Sequence, residues 1–147
     1  MTGTGRNLLN DADAAAVAEA VRAAEAQTTA EIKVVLARRR WGSLGGKARR
    51  VFARLGLHRT AQRNAVLILM LPARREVVIY GDRGIDDGVE QGFWNDVRDS
   101  MVACFRDGQV AAGLCEGVRR AGEKLATHFP SSGEDANEIT NDVVQGE

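Results

Sequence analysis

Residues 65–80 read Ala-Val-Leu-Ile-Leu-Met-Leu, then Pro-Ala-Arg-Arg, then Glu-Val-Val-Ile-Tyr, and their pattern decides the fold. The first seven are apolar without alternation, as in a central strand covered by helices on both faces. Residues 72–75 are a turn signal and residues 76–80 resume as a β-branched strand, so the pair predicts an antiparallel hairpin. A strand apolar on both sides needs a helical layer on each. The fold class that follows is α/β, a three-layer α/β/α sandwich.

Moving toward the N-terminus, residues 31–37 (EIKVVLA) read as another strand, with Ile32, Val34 and Leu36 on one face. A loop follows that holds Arg38, Arg39, Arg40, Trp41 and three glycines. Leu44, Ala48, Val51, Phe52 and Leu55 then make a helical stripe, opposite a face of Lys47, Arg49, Arg50 and Arg54, with Gly56 as the C-cap signal. A helix between these two strands predicts a parallel pair with a right-handed crossover. Farther back, Asn10 reads as the N-cap of an Ala-rich helix carrying Val17, Val21 and Ala24, and residues 27–29 break it.

Toward the C-terminus, residues 81–92 read as a Gly- and Asp-rich loop. Phe93, Trp94, Val97, Met101, Cys104 and Phe105 form a helical stripe that ends at Asp107-Gly108. Val110, Leu114, Val118, Ala121 and Leu125 form the last one, ending near His128-Phe129-Pro130. The order is α-β-α-β-β-α-α on a small mixed sheet of three to four strands. Residues 1–9 read as a flexible lead, 10–130 as one α/β domain and 131–147 as an acidic, disordered tail.

The chain has 147 residues, 44% hydrophobic, with 20 Lys+Arg against 20 Asp+Glu and two cysteines. That composition excludes a disordered chain and a disulfide framework, and the length suits a single domain. The longest apolar run, residues 65–73, is half of what a bilayer span needs, and residues 1–13 lack an apolar core of the secretory type. The expectation is a soluble, cytoplasmic domain with no transmembrane segment. Its zero net charge conceals blocks: nine cations and no acid in residues 38–63, six acids against two arginines in 82–99, and five acids alone in 131–147. The acidic tail is positioned in sequence to fold back onto the basic face, a contact that salt would weaken.

Candidate chemistry lies in the loop after the hairpin. Asp82, Asp86, Asp87 and Glu90 cluster just past a strand end, where ligands of open α/β sheets bind. Crowded carboxylates repel unless a hard cation sits among them, so Ca²⁺ or Mg²⁺ is the expected partner. The opposing reading is that Asp86 or Asp87 caps the next helix while the other acids stay in water. Residues 42–46 (GSLGG) precede a helix but lack the P-loop and dinucleotide-binding spacings. The basic stretch lacks a stacking platform, which makes nucleic acid an unlikely partner and a solvated helix face the simpler reading. His58 and His128 have no ligand-spaced partner, Cys104 and Cys115 read as core thiols, and Gly113-x-x-x-Gly117 reads as close helix packing.

Glu31-Ile32-x-Val34-Val35, Arg63-Asn64-Ala65-Val66-Leu67-Ile68, Asp82-Arg83-Gly84-Ile85 and Phe105-x-x-Gly108 with Gly113 together resemble the TPM domain family. That family is named in part for a thylakoid-lumen protein of photosystem II repair. The resemblance covers residues 10–130, and the ending Leu125-Ala126-x-His128-Phe129-Pro130 is similar to a short soluble bacterial subgroup. It implies an α/β/α sandwich, acid phosphatase activity in some members, and Ca²⁺ or Mg²⁺ on acidic loops in others. Four positions depart from the family pattern. Arg63 stands where many members have Asp, Ala65 and Asp82 stand where they have Gly, and Gln91 stands at a further acid position, while Asp86 keeps its acid. An arginine at position 63 either pairs with Asp82 or binds a phosphate oxygen.

Two functions follow as expectations. The first is a binding or accessory module in envelope-protein maintenance, with an unidentified protein partner and a divalent cation held by Asp82, Asp86, Asp87 and Glu90. The alternative is a weak, metal-assisted acid phosphatase, in which Asp86 and Asp87 hold the cation and Arg63, with Asn64, takes the phosphate.

Overall fold

A computed structural model describes residues 8–131 and 143–147. The chain runs α1 (Asp11–Glu25), β1 (Glu31–Leu36), α2 (Leu44–Arg54), β2 (Ala65–Leu71), β3 (Glu76–Gly81), α3 (Arg83–Asp86), α4 (Gln91–Arg106), α5 (Val110–His128) and β4 (Val144–Gln145). The strands form one mixed sheet in the order β3-β2-β1-β4. β2 runs parallel to β1, with Glu31 opposite Ala65, and antiparallel to β3, with Leu71 opposite Glu76.

All seven residues of β2 are buried, and the two-residue side-chain period divides them between two cores. Val66, Ile68 and Met70 join Ile32, Val34 and Leu36 against α1, α4 and α5. Ala65, Leu67, Leu69 and Leu71 join Val35 against Ala48, Val51 and Phe52 of α2. Helices thus cover both faces, and the expected three-layer α/β/α sandwich is the observed fold. Where α4 and α5 pack, Gly117 admits the Met101 side chain, since a Cβ at that position would lie 2.4 Å from the Met101 sulfur.

Local chemistry sets the helix starts. The Asn10 side chain accepts from the Asp13 N–H at 2.7 Å, and Ser43 accepts from Gly46 at 2.9 Å. Gly56, just past α2, takes a left-handed φ of 71°. Cys104 and Cys115 are half-buried rather than core thiols.

Two expectations change. Residues 81–92 are not wholly a loop: α3 forms there because Asp82 accepts from the Arg83 N–H at 2.8 Å and Ile85 is fully buried. The ends of the chain also differ from a free lead and a free tail where they are described. Val144–Gln145 adds a fourth strand parallel to Val35–Leu36 of β1. The Gln145 side chain accepts from the Leu8 and Leu9 N–H groups at 2.7 and 2.9 Å, and Leu9 is buried. The sequence cue was weak because two residues are too few to show periodicity. The rest of the expected lead and tail, residues 1–7 and 132–142, lies outside the described residues.

Gln145 therefore ties both ends of the chain to the sheet. Gln145→Ala is expected to cost about 1–3 kcal/mol, from two N–H groups left without their acceptor. Chemical denaturation checks the cost, and faster amide exchange at Leu8 and Leu9 checks its location.

Candidate functional site

The turn into β2 and the turn out of β3 meet at the same end of the hairpin. Arg63 precedes β2 with a left-handed φ of 52°, a conformation unfavourable for a side chain of its size. The Thr60 hydroxyl holds this turn by accepting from the Asn64 N–H at 3.0 Å. From Arg63, Nε donates to Asp82 Oδ2 at 2.6 Å and Nη2 to Oδ1 at 2.8 Å. This is the planar, two-bond match of guanidinium to carboxylate. The Asp82 side chain is only 7% exposed and that of Arg63 34%, so one end of the pair is buried and the other reaches water. Gly84 completes the junction: its N–H donates to the Arg63 carbonyl at 2.9 Å. A Cβ on Gly84 would lie 2.4 Å from the Gln62 carbonyl and 2.6 Å from that of Arg63.

Burial pushes the Asp82 carboxyl up, but the Arg63 hydrogen bonds, the Arg83 N–H and the two arginine charges outweigh it and hold it below the usual range. Asp82 is thus an ionised helix cap and ion-pair partner.

The other expected ligands do not join it. Asp86 and Asp87 are exposed at the end of α3, and exposed Glu90 lies 3.2 Å from Lys124 Nζ of α5. Among the described residues no group of three or more His, Cys, Asp or Glu side chains is arranged to hold a metal. Neither aspartate caps α4: Glu90 occupies that position without a side-chain bond, and it is Asp82 that caps α3. Arg63 points at Asp82. Asn64 is buried and donates to Thr29 Oγ1 at 3.1 Å, tying β2 to the α1–β1 turn. Gln91 donates to Asn95 on the surface of α4.

Two features escaped the sequence reading. Glu25 at the end of α1 accepts from the Ile32 N–H at 2.6 Å, beside Glu31 at the start of β1. Burial pushes the Glu25 carboxyl up; the Ile32 N–H opposes this and the Glu31 charge adds to it, bringing it to about 8. The acids at 25 and 31 gave no such signal because helix and strand read separately.

The second feature is Trp41, the one large hydrophobic side chain that stands exposed among the described residues, at 75%. It sits in the loop before α2, whose outer face carries exposed Arg49, Arg50 and Arg54. Among the described residues acids reach this surface at two points. Glu76 pairs with Arg40 at 3.0 Å, and Glu147 pairs with Arg54 while its carbonyl accepts from Lys47 Nζ at 2.8 Å. The acidic C-terminus does meet the basic face. Partial burial, and after it the charges of Arg54, Arg50 and Arg39, push the Lys47 ammonium down. A cleft of about 420 Å³ opens beside it, lined by Arg40, Ser43, Leu44, Glu76 and Val78.

The fold and this end of the hairpin define a small α/β/α domain whose charged junction, Arg63–Asp82, is closed on itself. The chain matches the TPM domain over residues 4–124 and belongs to that family. Among solved structures it is similar to the BA42 protein of the psychrophilic bacterium Bizionia argentinensis. The two share 34% identity and a TM-score of 0.89 over 95% of this chain and 96% of that one. The N-terminal domain of a P. gingivalis protein matches at 22% identity and TM-score 0.67, over 83% of this chain and 79% of that one. The N-terminal domain of the Corynebacterium glutamicum protein cg2496 matches at 12% and 0.62, over 90% of this chain and 80% of that one. These last two likenesses show the fold alone. No curated protein matches the chain.

Three outcomes test this geometry. Gly84→Ala is expected to lower stability by about 3 kcal/mol, because two backbone carbonyls must move. Asp82→Asn is expected to cost about 1.5–3 kcal/mol near neutral pH by urea denaturation. Since the folded carboxyl lies below its ordinary value, that difference is full above about pH 4 and closes as pH falls through the folded value. Glu25 has the opposite sign. With its carboxyl raised from 4.5 to about 8, its contribution is lost as pH rises between those values. The slope is at most about 1.4 kcal/mol per pH unit, and Glu25→Gln should gain on the wild type from pH 5 to pH 8.

Proposed function

We propose that this TPM domain is a binding module, an accessory in the maintenance of envelope proteins, with the Trp41 loop and the outer face of α2 as its working surface. The observation that carries this reading is Trp41, exposed at 75% beside arginines that outnumber the acids reaching them. An indole in water flanked by guanidinium groups is the composition of a recognition surface, in which aromatic and arginine side chains supply most of the binding energy.

The metal-assisted phosphatase reading has less support from the geometry. It requires Arg63 to clamp a phosphate, and Arg63 holds Asp82 instead. It also leaves a cation to Asp86 and Asp87, which lie in water and gain little from so open a site.

The two readings separate in solution. Retention on a sulfonate matrix at low salt is expected despite the zero net charge, with Arg49→Gln/Arg50→Gln eluting earlier. Equal elution of wild type and variant would sink the binding surface. Titration of Ca²⁺ or Mg²⁺ is expected to leave the amides of residues 82–91 without saturable shifts below about 1 mM. Saturable shifts, followed by phosphate-ester hydrolysis that Asp86→Asn abolishes, would favour the enzyme.

A further inference from the structure

The geometry points to one occupant of this surface: the headgroup layer of a bilayer rich in anionic phospholipid, with Trp41 inserted at the level where headgroups meet acyl chains. This deepens the binding-module reading and rests on it.

Three observations select a lipid surface. The cations lie along the solvent side of an 11-residue helix and its leading loop, as Arg39, Arg49, Arg50 and Arg54, rather than around a pocket. An array of that form matches a layer of negative charges with no fixed register, and each cation is drawn by the surface potential. Trp41 supplies the second element. An indole prefers the membrane interface, where its ring sits among apolar groups and its N–H stays hydrated.

The third observation is what accompanies Trp41. Among the described residues no other large hydrophobic side chain is exposed, so the apolar core of a protein–protein interface is missing. Phe52, the other aromatic ring within the basic stretch, packs inward on Tyr80 with ring centroids 5.0 Å apart. A single-stranded nucleic acid therefore finds one stacking ring, where such sites stack successive bases on several. Among the described residues no helix is long and apolar enough to cross a membrane, and the contact proposed is one of this surface with the headgroup layer. Glu147 pairs with Arg54 and accepts from Lys47, so it offers a carboxylate where a phosphate would come.

The test is vesicle binding by the full chain, read by Trp emission and by sedimentation. Trp94 is buried at 5% exposure, so a change on mixing reports Trp41. With phosphatidylglycerol/phosphatidylcholine vesicles the emission is expected to shift to the blue and to be quenched by lipids labelled near the headgroup. Pure phosphatidylcholine should give neither effect. Each cation at an anionic surface is worth about a five-fold factor, so Arg49→Gln/Arg50→Gln is expected to weaken partitioning about 30-fold. Both substitutions lie on a solvated face and should leave the unfolding midpoint unchanged. Trp41→Ala should keep the salt-sensitive part of binding and weaken the remainder at high salt.

Equal binding to neutral and anionic vesicles, or no blue shift on anionic ones, would overturn the lipid proposal. So would tighter binding to duplex DNA or to polyglutamate at the same salt. Retention on the sulfonate matrix without vesicle binding rejects the lipid and keeps the anion-binding surface. Loss of both rejects the surface itself.

Discussion

β2 has no face that can meet water. Its seven residues are apolar and buried, so whichever way the pleat turns, a hydrophobic row needs a cover. The rest of the architecture answers this constraint. One row is covered by α1, α4 and α5, the other by α2, and β1 and β3 pair along its two edges. Leaving either row in water would forfeit about 1.5–3 kcal/mol for each large side chain, a large share of the roughly 5–15 kcal/mol by which a domain is stable.

A buried strand must still begin and end near the surface, and the charged junction does that work. At one end of the β2–β3 hairpin, a left-handed residue, a guanidinium–carboxylate pair and a glycine pressed on two carbonyls fix the turns before β2 and after β3. The acid at position 82 that looked like a ligand is the helix cap and ion-pair partner that makes this junction. Arg63 and Asp82, the positions expected from the resemblance to carry an acid and a glycine, meet each other in this chain.

The nine-cation block follows the same logic of separation. Its apolar partners turn inward to cover the second row of β2, which leaves Lys47, Arg49, Arg50 and Arg54 on α2 and the other cations on its flanks. Neutrality of the whole chain hides this because the compensating acids lie mostly elsewhere in the sequence. Among the described residues three acids reach the block: Glu76 at Arg40, Asp82 at Arg63 and Glu147 at Arg54.

The sequence by itself determined the layers, the helix faces, the hairpin and the family. Each depends on periodicity or on short motifs, which neighbouring residues encode without knowledge of the rest of the chain. The two-residue strand β4 was not legible, since Val144–Gln145 has no period and exists because β1 offers an open edge. Nor was the choice of partner for the acids. Asp82 meets Arg63 from 19 residues away, one of two roles open to that arginine, and Glu25 comes to lie beside the first residue of a strand it does not belong to. Only tertiary structure decides such pairs, because ionisable side chains keep no sequence spacing and take the charge, hydrogen bonds and burial that packing brings to them.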